Sequence, residues 1–158
     1  MRILHISPYS PVPPIFGGAL RVYHILRGLA RYHEVTFVTF GNEKERNLLV
    51  KEFGKTVRQI HVVPHKSVPW KHRWFGVVSS LMNRRSFLSS FASGKQMQEM
   101  LDRLLLNDKY DFVLIEFPHM GLFKLAGNVK TILDEHNVEY NNLYKQYRSM
   151  KSLFRCLT

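Results

Sequence analysis

The chain lacks the features of a disulfide-bonded, zinc-binding or membrane-spanning protein. Among its 158 residues there is one cysteine, Cys156, which cannot form an internal disulfide or build a zinc site by itself. No apolar run approaches the roughly 20 residues that a membrane-spanning helix needs. The amino terminus has no signal-peptide pattern, because charges and prolines interrupt its apolar residues. These absences favour a cytoplasmic protein, in which we expect no metal.

Acidic residues are also scarce. The chain has 12 of them against 23 lysines and arginines, a formal net charge of +11 that calls for a polyanionic partner. No acidic residue lies between Glu52 and Glu99, whereas eight basic residues do. Because Trp70 and Trp74 lie in this stretch, contact with an anionic membrane surface is one interpretation. A solvated basic face over core aromatics is the other. Nucleic acid is not expected, because no recognised binding motif accompanies the charge.

Strong nucleotide-binding and catalytic motifs are missing. The chain contains no GxGxxG, P-loop, GxSxG or HExxH pattern. It does contain a glycine pair, Gly17-Gly18, which follows an apolar segment at residues 2–7 and a proline-rich loop. Apolar residues at helical spacing come after the pair, at Val22, Ile25, Leu26 and Leu29. When a strand leads through a glycine turn into a helix, the start of the helix presents free backbone N–H groups that can bind phosphate. A tight turn without a ligand is the alternative.

The rest of the chain alternates between strand and helix patterns. We predict strands at residues 2–7, 34–40, 57–63, 110–116 and 130–135. We predict helices after Gly18, at 43–53, at 120–126 and at 138–157, and one capped by Ser93 and Gln96. In the helix at 43–53 we expect Leu48, Leu49 and Phe53 to face inward. This order predicts an α/β, Rossmann-like parallel sheet with strand order 3-2-1-4-5 and helices on both faces.

This topology predicts where a ligand would bind. In an open parallel sheet, ligands bind beyond the carboxyl ends of the strands, where the strand order reverses. Neighbouring strands lie ~4.8 Å apart, so the glycine loop, Glu116 and His136 would gather around one crevice. His5 lies inside the first strand and is expected to be a hydrogen-bonded core histidine. A nucleotide-dependent oxidoreductase or epimerase also fits a Rossmann-like fold, but the missing GxGxxG pattern argues against it.

Taken together, several segments resemble the N-terminal domain of family 4 glycosyltransferases. They are residues 1–14, the glycine pair with Arg21, and residues 33–36, 111–116 and 134–140. The resemblance covers about residues 1–147 and implies the N-terminal half of a GT-B fold. It implies retaining transfer of a sugar from a nucleotide-sugar to a glycan or lipid-linked acceptor, in cell-envelope polysaccharide biosynthesis. No metal or cofactor is expected.

The resemblance also implies roles for individual residues. Gly17, Gly18 and Arg21 would bind the donor phosphate, His136 would lie near the transferred sugar as a catalytic residue, and Glu116 is a weaker second match. A donor-binding domain with its Glu-x7-Glu motif is absent. We therefore expect residues 1–158 to be an incomplete acceptor-side domain, inactive alone and peripheral on the inner face of the membrane. The alternative is a non-catalytic remnant that binds anionic lipid or a partner through its basic surface.

Overall fold

A computed structural model of the protein describes residues 1–64, 94–135 and 144. These residues contain a five-stranded parallel sheet with strand order β3-β2-β1-β4-β5. The strands are β1 Arg2–Ser7, β2 Glu34–Gly41, β3 Gln59–Pro64, β4 Phe112–Glu116 and β5 Lys130–Asp134. The helices are α1 Gly17–Leu29, α2 Glu43–Phe53 and α3 Lys95–Asn107, together with a 3₁₀ helix at Pro118–Leu122. The predicted α/β, Rossmann-like fold and its strand order are confirmed.

The sheet separates two hydrophobic cores, because successive side chains of a strand point to opposite faces. On one face Leu4 and Ile6 of β1 pack in a cluster with α3. On the other face Ile3 packs in a cluster with α1 and α2. All three side chains are fully buried. The apolar runs of β1, β2 and β4 are therefore explained by burial on both sides of the sheet.

Helix α2 has the predicted bounds, and a capping box satisfies its amino terminus. The Asn42 side chain accepts a hydrogen bond from the Glu45 amide at 3.0 Å, and the Glu45 carboxylate accepts one from the Asn42 amide at 2.8 Å. Leu49 and Phe53, four residues apart, are buried as predicted. The prediction that Leu48 faces inward is wrong, since it is 41% exposed. Leu48 lies about a quarter turn away from the Leu49–Phe53 stripe.

Two further helix predictions are wrong, one for the start of a helix and one for the type of a helix. Helix α3 has Gly94 as its N-cap, with no side-chain cap, instead of the predicted Ser93–Gln96 capping box. Gly94 packs closely against Phe40, where a Cβ would lie 3.3 Å from the ring. The predicted helix at 120–126 is instead the short 3₁₀ helix, which Pro118 opens and buried Met120 anchors. Glycines within and just beyond this segment disfavour a longer helix.

Several predictions fall on residues that the structure does not describe. They are the basic aromatic stretch at 65–93, His136, and the helix at 138–157 with Cys156. Across the described part of the chain, no helix has the length and apolar character needed to cross a bilayer.

Candidate functional site

The strand order reverses between β1 and β4, and the loops at their carboxyl ends meet the first turn of α1. The ring of Tyr9, which follows β1, lies 4.8 Å from the Phe16 ring and 5.3 Å from the Phe117 ring, centroid to centroid. Both contacts are edge-to-face, which is a favourable aromatic geometry. We call Tyr9, Phe16 and Phe117 the aromatic floor. It connects the segments that follow β1 and β4 to the start of α1.

The two glycines of the pair have different surroundings. A Cβ added to Gly18 would collide with the Tyr9 hydroxyl and would lie 3.1 Å from Phe16 and 3.3 Å from Phe117. Gly18 is therefore required by its close approach to the aromatic floor. Among the residues that the structure describes, no atom lies within 4 Å of a Cβ added to Gly17. Packing against these residues therefore does not explain this glycine.

The amino terminus of α1 has no side-chain cap among the residues that the structure describes. Its N-cap residue, Phe16, makes no side-chain cap hydrogen bond, and the first turn contains no acidic residue. The first N–H groups of a helix have no partner within the helix and carry partial positive charge. The amino terminus of α2 differs, because Asn42 and Glu45 already occupy its amides. Of these two helix starts at the carboxyl edge of the sheet, α1 is the one with uncapped amides.

Arg21, in the next turn of α1, binds the end of β5. Its Nε and Nη2 atoms donate hydrogen bonds to the two carboxylate oxygens of Asp134, at 3.1 and 2.7 Å. The Arg21 side chain is 51% exposed. This bidentate pair connects the glycine turn to β5 and offsets much of the guanidinium charge. Sequence reasoning selected Arg21 but missed Asp134, although Asp134 opens the quoted segment at 134–140.

Glu116 lies beneath this surface and not on it. Its carboxylate is 2.6 Å from Nε2 of His5, and both side chains have no solvent exposure. The prediction that His5 is a hydrogen-bonded core residue is confirmed. Phe117, directly after Glu116, has a φ of 70°, which is rare for a residue with a side chain. This turn brings the Phe117 ring over Tyr9 while Glu116 points into the core.

Tyr9 is a further site residue that sequence reasoning missed. Burial, and then the charge of Glu116, raise the pKa of its phenol above the ordinary value. Its hydroxyl is buried and has no hydrogen-bond partner among the residues that the structure describes. Its position in the proline-rich loop was the only signal in the sequence.

The structure thus brings Gly17, Gly18 and Arg21 together on α1 and places Glu116 below them. His136 lies outside the described residues, so its position relative to this site stays a prediction. In residues 1–64 and 94–135 no group of three or more histidine, cysteine, aspartate or glutamate side chains could hold a metal ion.

Comparison with known proteins does not identify a family for this chain. No protein-family model and no curated protein matches the chain. One solved structure that matches is the C-terminal domain of a hydrogenase from Pyrococcus furiosus. It is 18% identical, with a TM-score of 0.49, over 84% of this chain and 90% of the hydrogenase domain.

These findings overturn the identification made from the sequence. No family model and no curated protein matches the chain, glycosyltransferases included. The assignment to family 4 glycosyltransferases is therefore wrong. The described segments that suggested it lie on β1, β2, β4 and β5, in the loop between β1 and α1, and at the start of α1, which holds the glycine pair. Short motifs of this kind follow from a parallel sheet and do not identify one family.

Proposed function

We propose that the chain forms one side of a site that binds a nucleotide-sugar through its pyrophosphate and takes part in sugar transfer. The acceptor would be a glycan or a lipid-linked sugar. One observation carries the proposal: in the described part of the chain, α1 begins with uncapped amides and with open space beside Gly17, at the reversal point of the sheet. This is the position and the chemistry at which α/β folds hold phosphate groups.

The strength of such a site can be bounded. Each hydrogen bond from a first-turn amide contributes about 1 kcal/mol net in water, and the helix dipole adds about 0.3–1 kcal/mol. Association costs roughly 4–15 kcal/mol in lost translational and rotational freedom. Two or three such contacts barely offset this cost, and millimolar binding needs a net gain of about 4 kcal/mol. We therefore expect affinity no tighter than millimolar and no sugar transfer by the 158 residues alone.

The chemistry of sugar transfer fits an amide-lined anion site. The bond between the sugar and the phosphate oxygen breaks, so negative charge accumulates on the leaving pyrophosphate. Preorganised N–H groups stabilise charge that develops in this way. In this proposal the first turn of α1 holds the pyrophosphate, Arg21 supports it from the next turn, and His136 orients the sugar. Glu116 contributes only by its position under the aromatic floor, where it supports the residues above it.

The Arg21–Asp134 pair provides a test with opposite outcomes. Inorganic pyrophosphate and UDP-, GDP- and ADP-sugars would be titrated into ¹⁵N-labelled protein while the amide signals are followed by NMR. We expect Gly17, Gly18 and Ala19 to shift. Asp134→Asn releases the Arg21 charge and should tighten pyrophosphate binding about fivefold, whereas Arg21→Gln should weaken it by a similar factor. Arg27→Gln, in the last turn of the same helix, is the matched control.

The proposal fails if the amides of the first turn do not shift, or if Asp134→Asn and Arg21→Gln give the same affinity as the Arg27→Gln control and the unmodified chain. If pyrophosphate binds and none of the three nucleotide-sugars binds more tightly, the anion site stands and the nucleotide-sugar assignment is rejected.

The charge distribution favours a second candidate function, binding to an anionic membrane surface. Residues 65–93 and 136–158 hold nine of the chain's basic residues and one acidic residue, so they account for most of the net charge of +11. A basic residue near an anionic surface contributes about 1 kcal/mol. We expect co-sedimentation with vesicles that contain phosphatidylserine, weakened by salt, and none with phosphatidylcholine vesicles. Equal binding to both would reject this candidate.

A further inference from the structure

A second concave surface lies on the other side of Tyr9. The cavity has a volume of about 500 Å³ and is lined by Pro8, Tyr9, Phe40, Gly41, Asn42, Glu43, Glu45 and Pro64. These residues lie at the carboxyl ends of β1, β2 and β3 and at the start of α2. The volume is within the range of small-molecule sites. The cavity is separate from the first turn of α1, and Tyr9 is the residue that connects the two.

The charged groups among the described residues of this cavity are carboxylates. Glu43 and Glu45 line it, and among the lining residues that the structure describes there is no lysine or arginine. The capping box already uses the amides of Asn42 and Glu45, so this helix start does not offer them to an anion. The Glu43 side chain is 86% exposed, and its ion pair with Arg46 is long, at 4.0 Å. A phosphate group is therefore disfavoured here.

The walls are apolar and partly aromatic. The lining includes the aromatic residues Tyr9 and Phe40, and Pro8 and Pro64, which have no N–H donor. A sugar ring presents C–H groups to such a wall and hydroxyl donors to carboxylates at the rim. We propose that this cavity is a subsite for an uncharged saccharide, with Glu43 accepting hydrogen bonds from its hydroxyl groups. This subsite proposal rests on the proposed function in one respect, because the proposed function is what makes a saccharide acceptor the expected ligand.

The test uses sugars without phosphate, so that it is independent of the anion site. Methyl glycosides of glucose, mannose and galactose would be titrated into the ¹⁵N-labelled chain and followed by NMR. We expect saturable shifts of the Gly41, Asn42 and Glu43 amides with at least one sugar, while the Gly17 amide stays unchanged. Glu43→Ala should weaken binding about fivefold, the equivalent of one hydrogen bond. Glu99→Ala, an exposed glutamate on α3, is the matched control and should have no effect.

Spermidine distinguishes sugar recognition from simple attraction to carboxylates. If it shifts the same amides and competes with the sugars at lower concentration, the site is a cation site and the proposal is overturned. Absence of saturable shifts with all three sugars, or equal affinity for Glu43→Ala and Glu99→Ala, also overturns it. Failure of pyrophosphate binding with sugar binding retained would reject the proposed anion site and leave this subsite standing.

Discussion

The Nε2 atom of His5 lies 2.6 Å from a carboxylate oxygen of Glu116, with both side chains fully buried between the central strands β1 and β4. Their residues are 111 positions apart in the chain. A buried hydrogen bond between two titratable groups stabilises the fold only while both partners are present. The pair therefore helps to fix the position of β1 relative to β4, the two strands on either side of the reversal point.

Removing one member of this pair should be costly. We expect Glu116→Ala to lower the free energy of unfolding by about 3 kcal/mol, because it leaves the buried His5 ring unpartnered and opens a cavity. Glu116→Gln keeps a hydrogen-bonding group and should cost less. Urea denaturation at neutral pH measures both. A loss below about 1 kcal/mol for Glu116→Ala would show that the pair contributes little to stability.

The two glycines of the pair should respond in opposite directions to the same substitution. Gly18→Ala places a methyl group against the Tyr9 hydroxyl and two rings, and we expect a loss of about 1–3 kcal/mol. Gly17→Ala meets open space and should stabilise the helix by up to about 1 kcal/mol. Denaturation curves for the two variants give the comparison directly. Equal losses at both positions would contradict the surroundings described for Gly17.

The Tyr9 hydroxyl should make stability fall in alkaline solution. Because burial and Glu116 raise its pKa above the ordinary value of 10.0, the folded protein keeps the phenol protonated where the unfolded chain loses the proton. The stability that the protonated Tyr9 phenol contributes is therefore present below pH 10.0 and is lost as the pH rises above that value. We expect Tyr9→Phe to lose less stability than the unmodified chain between about pH 9 and pH 11.

At neutral pH the same variant should be neutral or slightly stabilising, because the buried hydroxyl has no partner among the described residues. Urea denaturation across this pH range tests both statements. Parallel stability curves for the two proteins would exclude Tyr9 as the source of alkaline sensitivity.

The capping box of α2 should contribute measurably to the stability of the fold. We expect Asn42→Ala to lower stability by about 1 kcal/mol, because the Glu45 amide loses its acceptor. Asn42→Asp retains an acceptor and should stay close to the unmodified chain. A thermal unfolding series of the three proteins is sufficient. Identical midpoints would mean that solvent replaces the cap without cost.

Much of the fold was determined locally, which is why it could be predicted. The β-branched and apolar runs of β1, β2 and β4 could be read as buried strands, and the bounds of α2 could be read from its pattern. Alternation of strands and helices then restricted the topology to a parallel sheet, because crossover connections are nearly always right-handed. The sequence also determined that a glycine pair would follow the first strand and open the first helix.

The site itself was decided by the tertiary structure. Gly17 and Gly18 are equivalent in sequence, and they differ because Tyr9 and Phe117 pack under one of them and not the other. Arg21 and Asp134 are 113 residues apart, and Glu116 pairs with His5 instead of facing solvent. Such pairings depend on which side chains the sheet brings within a few ångströms, and no local pattern encodes that distance. The family assignment failed because the motifs behind it are short strand and loop segments of a parallel sheet, which are compatible with many functions.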